Sequence, residues 1–288
     1  MRTTFVLTVA ALVLATGTAH AVPKVWQQKW DVSPKPSVRV VATDAHVTIH
    51  SGPAGVVSAR VEHELRTWGF VANKIEPTVT FVQSGNTYTV TVRERNGVVV
   101  LGGLFERTTV DVTLPAEADL AVRTGDGAID CDPVQGIVRL ETGDGAIRAR
   151  GLRGEISIAT GDGSVTADDL EGSLRAHSGD GKLIIGGRFD RLELSTGDGR
   201  IDATANKGSQ MAEAWNVETG DGSMTLRIPH DLKAYVDVHT NDGHVRVDLP
   251  ISVKGDLSRR DLTGELNGGG RTLRMRTGDG PITLGLSD

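Results

Sequence analysis

Aromatic side chains are scarce in this chain: Phe, Trp and Tyr together supply 4% of its 288 residues. A core must therefore be assembled from small aliphatics in thin layers, and the 36 glycines suit the corners of such a body. Cysteine is nearly absent. Cys131 stands alone, so no intramolecular disulfide can form even in an oxidising compartment. Its place in an apolar column, described below, reads as buried core. No block of Lys and Arg gathers anywhere. With 31 Lys and Arg against 37 Asp and Glu, both signs scattered, the net charge is −6, and the basic footprint of a nucleic-acid binder is missing. After the first 21 residues no apolar run approaches the roughly 20 residues that a membrane helix needs.

The N-terminus differs from the rest. Met1-Arg2, an apolar run from Phe5 to Ala15 and the small-residue end Ala19-His20-Ala21 have the plan of a signal peptide cleaved after Ala21. Losing Arg2 takes the net charge from −6 to −7. No cysteine lies at the cleavage site, so a lipid anchor is not expected. The expected location is a periplasm or the medium.

What the chain has in abundance is one four-residue word, Thr-Gly-Asp-Gly. It starts at Thr124 and returns, sometimes with one letter changed, at Thr142, Thr160, Ser178, Thr196, Thr219, Thr240 and Thr277. Asp126, Asp144, Asp162, Asp180 and Asp198 follow one another at a constant interval of eighteen positions, which signals a structural period. Counting from each Asp, positions −6, −4, +3 and +5 are apolar. Leu120/Val122 and Ile129/Cys131 fill them in the first unit, Trp215/Val217 and Met224/Leu226 in the sixth. Each unit is thus two short strands joined by the turn, with one apolar face at period two. A further apolar position, +8 (Val134, Leu152, Leu170), beside Gly136, Gly154 and Gly172, marks a return corner. The turn glycines are expected to supply φ > 0 and the aspartate an acceptor.

After Asp198 the period slips. The gap of 23 to Asp221 inserts five residues around Thr204 to Ala212; the gap of 21 to Asp242 inserts three near Pro229-His230-Asp231. The gap of 37 to Asp279 fits two coils, the middle one lacking its word around Gly255 to Gly264. Upstream, Val38 to His50 aligns on Asp44 as a degenerate first coil. Residues 22 to 37 read as an irregular lead-in, and Ala59 to Arg66 as a strand or a short helix. Thr78 to Val82 and Thr87 to Arg93 read as a hairpin around Ser84-Gly85-Asn86, with a further strand from Thr108 to Leu114. The apolar patch 98 to 105 reads as a buried strand, with an exposed contact loop as the alternative. The organisation expected is 1–21 signal peptide, 22–119 N-terminal β region and 120–288 regular repeat array.

Asp-Gly between alternating strands also fits a hairpin meander or barrel. The constant period, with the same residue type in each column, favours coils that stack each side chain on its counterpart. A membrane barrel needs strands of about 9 to 11 residues and aromatic girdles. A hexapeptide left-handed helix fails because the column six residues after −6 is the Asp itself. The fold expected is an all-β single-stranded β-solenoid of about nine or ten two-strand coils, at roughly 4.8 Å each.

These features together (the signal peptide, the degenerate first coil, the Leu114-Pro115 and Ile228-Pro229 breaks, the Thr-Gly-Asp-Gly units) resemble the bacterial exported β-strand-repeat proteins labelled "putative adhesins", a domain of unknown function. The resemblance covers nearly all of the chain after residue 21. It implies a repetitive β-solenoid and names no activity.

Three chemistries compete for the repeated acids. A ladder of Asp126, Asp144, Asp162, Asp180, Asp198, Asp221, Asp242 and Asp279 could hold Ca²⁺, as nonapeptide β-rolls do. Each turn offers one carboxylate, however, where Ca²⁺ takes about six to eight oxygens. Stacked carboxylates about 4.8 Å apart repel by roughly 1 kcal/mol in water. Backbone N–H donors in the turn can offset that. His239 and His244 flank Asp242, with His177 and His46 in the same two columns, and sketch a surface transition-metal site. A polysaccharide-active β-helix would need an aromatic groove and a defined carboxylate pair, and neither is present. The function expected is non-enzymatic: an adhesin-like or structural module presenting 98 to 105 and 204 to 212 to an envelope or surface component, with self-association through end coils also open.

Overall fold

The computed structural model describes residues 23–72, 76–93, 99–249, 252–253 and 258–287, with backbone alone for 67–72, 99–104 and 252–253. The proposed signal peptide and Val98 lie outside these residues. Every regular element among them is a β-strand, and the architecture is all-β.

Alternation decides which way each strand faces, and the period decides what it pairs with. Gln135–Thr142 runs parallel to Arg153–Thr160, with Val138 opposite Ile156 and Leu140 opposite Ile158. Across the turn, Ile147–Arg150 runs parallel to Val165–Ser178, with Ile147 opposite Val165 and Ala149 opposite Ala167. Each partner lies one full period further along the chain. Strands before the turns form one face of the body, those after the turns form the other, and the −6, −4, +3 and +5 side chains are buried between them. Val245 and Val247 are half-buried exceptions. Leu152 and Leu170 at the corner are buried too, and Gly136, Gly154 and Gly172 there do take positive φ.

The word itself works differently from expectation. None of the turn glycines takes positive φ. They are glycine because adjacent turns touch. A methyl on Gly145 would collide with the carbonyl of Gly127, and one on Gly143 would lie 2.8 Å from the Gly125 carbonyl oxygen and 2.9 Å from Asp126 Oδ1. The buried hydroxyl that begins each word bridges the levels. Thr142 Oγ1 lies 2.9 and 2.8 Å from the Gly125 and Gly127 carbonyls; Thr160 Oγ1 lies 3.2 and 3.0 Å from those of Gly143 and Gly145. Thr160 Oγ1 also accepts the Gly163 N–H at 3.2 Å. Ser178, Thr196, Thr219, Thr277 and Thr240 repeat the arrangement.

The levels do not follow chain order at either end. Ser37–Ala42 and His46–Gly52, the Asp44 coil, stack directly on the Asp126 coil, as Val38 opposite Leu120 and Val47 opposite Ile129 show. On the far side of that coil, Thr87–Arg93 and Val99–Pro115 form a further level. Val56–Ala72 is a strand antiparallel to Val99–Pro115, and Lys24–Asp31 is antiparallel to Val56–Ala72. The expected irregular lead-in is therefore a strand. Pro34 and Pro36 only bound it, and Trp30 anchors it against Phe81 and Tyr88, with ring centroids 6.0 and 5.5 Å away.

At the other end the Asp279 coil is threaded between its predecessors. Arg271–Thr277 pairs with Trp215–Thr219 on one side and with Ala234–Thr240 on the other. Ile282–Leu286 likewise lies between Met224–Ile228 and Val245–Val247. The middle coil expected around Gly255 to Gly264 does not form in the described part of that segment. Asp261–Leu266 instead runs antiparallel to Ala234–Thr240 and closes that face. The outermost turn, Asn241-Asp242-Gly243, is where the first glycine of the word is replaced. There the Asn241 N–H reaches the Gly278 carbonyl at an ordinary 2.8 Å, leaving room for a side chain.

Two substitutions and a control test this account in urea unfolding. Gly145→Ala is expected to cost about 3 kcal/mol or more, because backbone must move to admit the methyl. Thr160→Val should cost about 1 to 3 kcal/mol by stranding buried carbonyls. Gly285→Ala, which meets nothing within 4 Å and has no positive φ, should stay within about 0.5 kcal/mol of the parent.

Candidate functional site

The repeated aspartates form one exposed column along the turn edge. Those from Asp126 to Asp221 lean over the adjacent turn: Asp144 Oδ1 lies 2.8 Å, and Asp162 Oδ1 2.9 Å, from where a methyl on the next first glycine would be. Asp44 Oδ1 accepts the Asp126 N–H at 3.3 Å. Among the described residues no three His, Cys, Asp or Glu side chains converge as a metal site would require.

The three residues flanking the Asp242 turn separate in space. His239 Nδ1 meets Asp261 Oδ1 at 2.5 Å and its Nε2 meets Asn241 Oδ1 at 3.1 Å, so both ring nitrogens are engaged. Asp242 pairs with Arg260 at 3.0 Å, and His244 is exposed. In the same columns, His177 bonds Ser195 at 2.9 Å and His46 pairs with Asp130 at 2.8 Å. Cys131 is buried, and burial, with Asp132 beside it, pushes its thiol up to about 12.

The two slips of the period, by contrast, converge. Phe189 and Trp215 are both fully buried and pack edge to face with centroids 6.5 Å apart. The chain passes beside this aromatic pair at the first slip. The segment between Ile201–Ala205 and Trp215–Thr219 does so. Its Ser209 Oγ accepts the Phe189 N–H at 3.1 Å and donates to the Asn206 carbonyl at 2.7 Å, while the Gln210 N–H reaches the Phe189 carbonyl at 3.1 Å. The second insertion turns through Pro229, whose carbonyl accepts the Leu232 N–H at 3.1 Å. It is held by Asn267, whose Nδ2 donates to the His230 and Leu232 carbonyls, each at 2.8 Å.

Between them lies an open cleft. One wall is Gly208 to Met211, the other is Asp231 to Lys233, and Gly269, Gly270 and Arg271 close the end. Most arginines along the stack are matched with acids, as in Arg123–Glu141, Arg175–Glu193 and Arg227–Asp202. The hydrogen bond from Arg175 is also the main reason Glu193 titrates below its usual range. Lys233 and Arg271 are both exposed and form no ion pair among the described residues. The site thus offers two cations without an ion pair among the described residues, the exposed carboxylate of Asp231, the half-buried thioether of Met211 and the exposed amide of Gln210. Sequence reasoning found both insertions without joining them, and it missed Lys233 and Arg271. Their signal was position alone, immediately before a strand after a break. From Val99 on, the apolar patch belongs to a strand laddered to Val56–Ala72; Val98 lies outside the described residues. Phe105 is exposed, and the burial of the 98 to 104 side chains lies outside the described residues.

Two outcomes are expected. Cys131 should react with a thiol reagent only on unfolding. His239, raised by its bond to Asp261 and then by that to Asn241, should stabilise the cap below about pH 6.5, and this contribution should fade as pH rises through its elevated value. Asp261, lowered chiefly by His239, loses its share as pH falls through its depressed value. The melting-temperature difference between the parent and His239→Gln should therefore be largest between about pH 4 and 6.5.

No curated protein matches the sequence. Among solved structures, the chain is similar to a "putative adhesin" from Bacteroides fragilis NCTC 9343, at 11% identity over 91% of this chain and 97% of that one, TM-score 0.44. It is also similar to a "putative cell adhesion protein" from Clostridium sporogenes ATCC 15579, at 13% identity over 92% and 100%, TM-score 0.32. At these scores neither likeness carries an argument about function. The match to a sequence family is of another kind, because it spans residues 40–285 and takes in every repeated turn: the chain belongs to the Toastrack DUF4097 family.

Proposed function

We propose that this protein is an exported, non-enzymatic, adhesin-like module of the cell envelope, periplasmic or extracellular. Its single-stranded β-solenoid of 18-residue two-strand coils with Gly-Asp-Gly turns serves as a rigid carrier. The corner cleft is its contact site, and the partner is an acidic segment of an envelope or surface component. One observation carries the reading: the two insertions that break an otherwise regular array meet at one corner, beside Lys233 and Arg271, which form no ion pair among the described residues. A repeat protein can vary such loops without disturbing the stack, which makes them the natural place for recognition. The N-terminal sequence, with the plan of a signal peptide, supports export.

The test is crosslinking capture from envelope extract with the parent and with Lys233→Glu/Arg271→Glu. Both side chains are exposed, so the variant should fold and melt like the parent. It is expected to lose the captured component, with binding weakened about tenfold or more. Undiminished capture by the charge-reversed variant would overturn the cleft as the contact site.

A further inference from the structure

Among the described residues Thr78–Ser84 is the outermost strand of its face, and it pairs on one side only, with Thr87–Arg93. The turn between them has two residues, with positive φ at Gly85 and not at Asn86, which is a type II′ hairpin. In such a hairpin Ser84 and Thr87 exchange hydrogen bonds, and so do every second pair behind them. The inner strand agrees: the Asn86 and Val92 carbonyls turn the other way, accepting from Ser37 N–H at 3.0 Å and Thr43 N–H at 3.1 Å. The N–H and C=O groups of Val79, Phe81 and Gln83 therefore point outward from the sheet, and among the described residues nothing pairs with them.

Exposed edges are ordinarily blunted with charge or proline. Two other terminal strands follow that rule: Lys24–Asp31 carries Lys24, Lys29 and Asp31, and Val245–Val247 carries Arg246. Thr78–Ser84, reading Thr-Val-Thr-Phe-Val-Gln-Ser, has no charge, no proline and no glycine, and Val82 on it is exposed. It is also held flat from behind, where Phe81 packs on Trp30.

We propose that this edge pairs with the same strand of a second copy, antiparallel about a two-fold axis through Phe81. The free groups lie symmetrically around Phe81. In this register Phe81 pairs with its counterpart and Val79 with Gln83 in both directions, so that every outward donor and acceptor of the three residues finds a partner. No charge opposes a like charge across such a pair, whereas a charged strand would gain no partner for its charges. The occupant that matches in length, neutrality and position of free groups is a second copy of this chain. The dimer would join two faces into one continuous sheet and leave the cleft, near the opposite end of the stack, open on each copy.

Sedimentation of the full chain after export, across a range of concentrations, tests the inference. The parent should form a dimer, with amide exchange at Val79, Phe81 and Gln83 slowing as concentration rises while Thr80 and Val82 stay protected throughout. Gln83→Pro removes one outward N–H, and Val82→Lys places a charge on the edge without touching the core. Either should weaken dimerisation about tenfold or more with unchanged circular dichroism. A parent that remains monomeric, exchange at these three amides that ignores concentration, or a dimer that survives in folded Val82→Lys would each overturn the proposal.

Discussion

Everything in this fold depends on how closely one turn lies on the turn before it. The backbones of successive Gly-Asp-Gly segments touch, so closely that a methyl group at either glycine would meet a carbonyl. That contact holds turn on turn without fixing the coil length, since the Asp221 turn still lies on the Asp198 turn although its coil carries five extra residues. It also assigns the threonine. Carbonyls turned away from solvent at such a crowded corner need donors, and the only group slim enough to enter is a hydroxyl arriving from the next level. The aspartate, by exclusion, is the one side chain of the word that faces water, leaning over the next turn.

The same constraint explains where the word changes. Asn241 and Ala45 depart from it at levels close to the ends of the stack, where an array of identical levels gives way to caps. Trp30, Phe81 and Tyr88 gather at one end, where wide side chains can close a core that thin aliphatic layers leave open. At the other, Leu262 and Leu266 are brought in on an antiparallel strand. Antiparallel strands lie at both ends, and among the described residues strand 78–84 is the long edge without a charge of its own.

Regularity also shapes the surface electrostatics. Stacked coils set outward side chains of successive periods beside one another, and arginine and glutamate in neighbouring rows neutralise each other, as Arg175 and Glu193 do at 2.9 Å. A lattice of this kind leaves little for a partner to recognise. Recognition requires a fault in the lattice, and the Phe189–Trp215 pair supplies one. The loop beside it faces the next irregular turn, and Lys233 and Arg271 at the rim form no ion pair among the described residues.

The sequence by itself determined the period, the strand alternation, which side chains are buried, and even the alignment of residues 38 to 50 with coils far downstream. These follow from local sterics and from burial, both written into each unit. What only the tertiary structure decided is the order of levels, the origin of the glycines and the meeting of the two insertions. All coils present the same apolar columns, so the pattern dictates register and not which neighbour a coil takes; nothing in Leu273 and Met275 says that their strand lies between two earlier ones. Glycine reads the same in a sequence whether it is needed for φ or for close approach, and only the distance to Gly127 separates the two. The cleft exists because loops far apart along the chain share one corner, a relation set by the folding-back of the last coil.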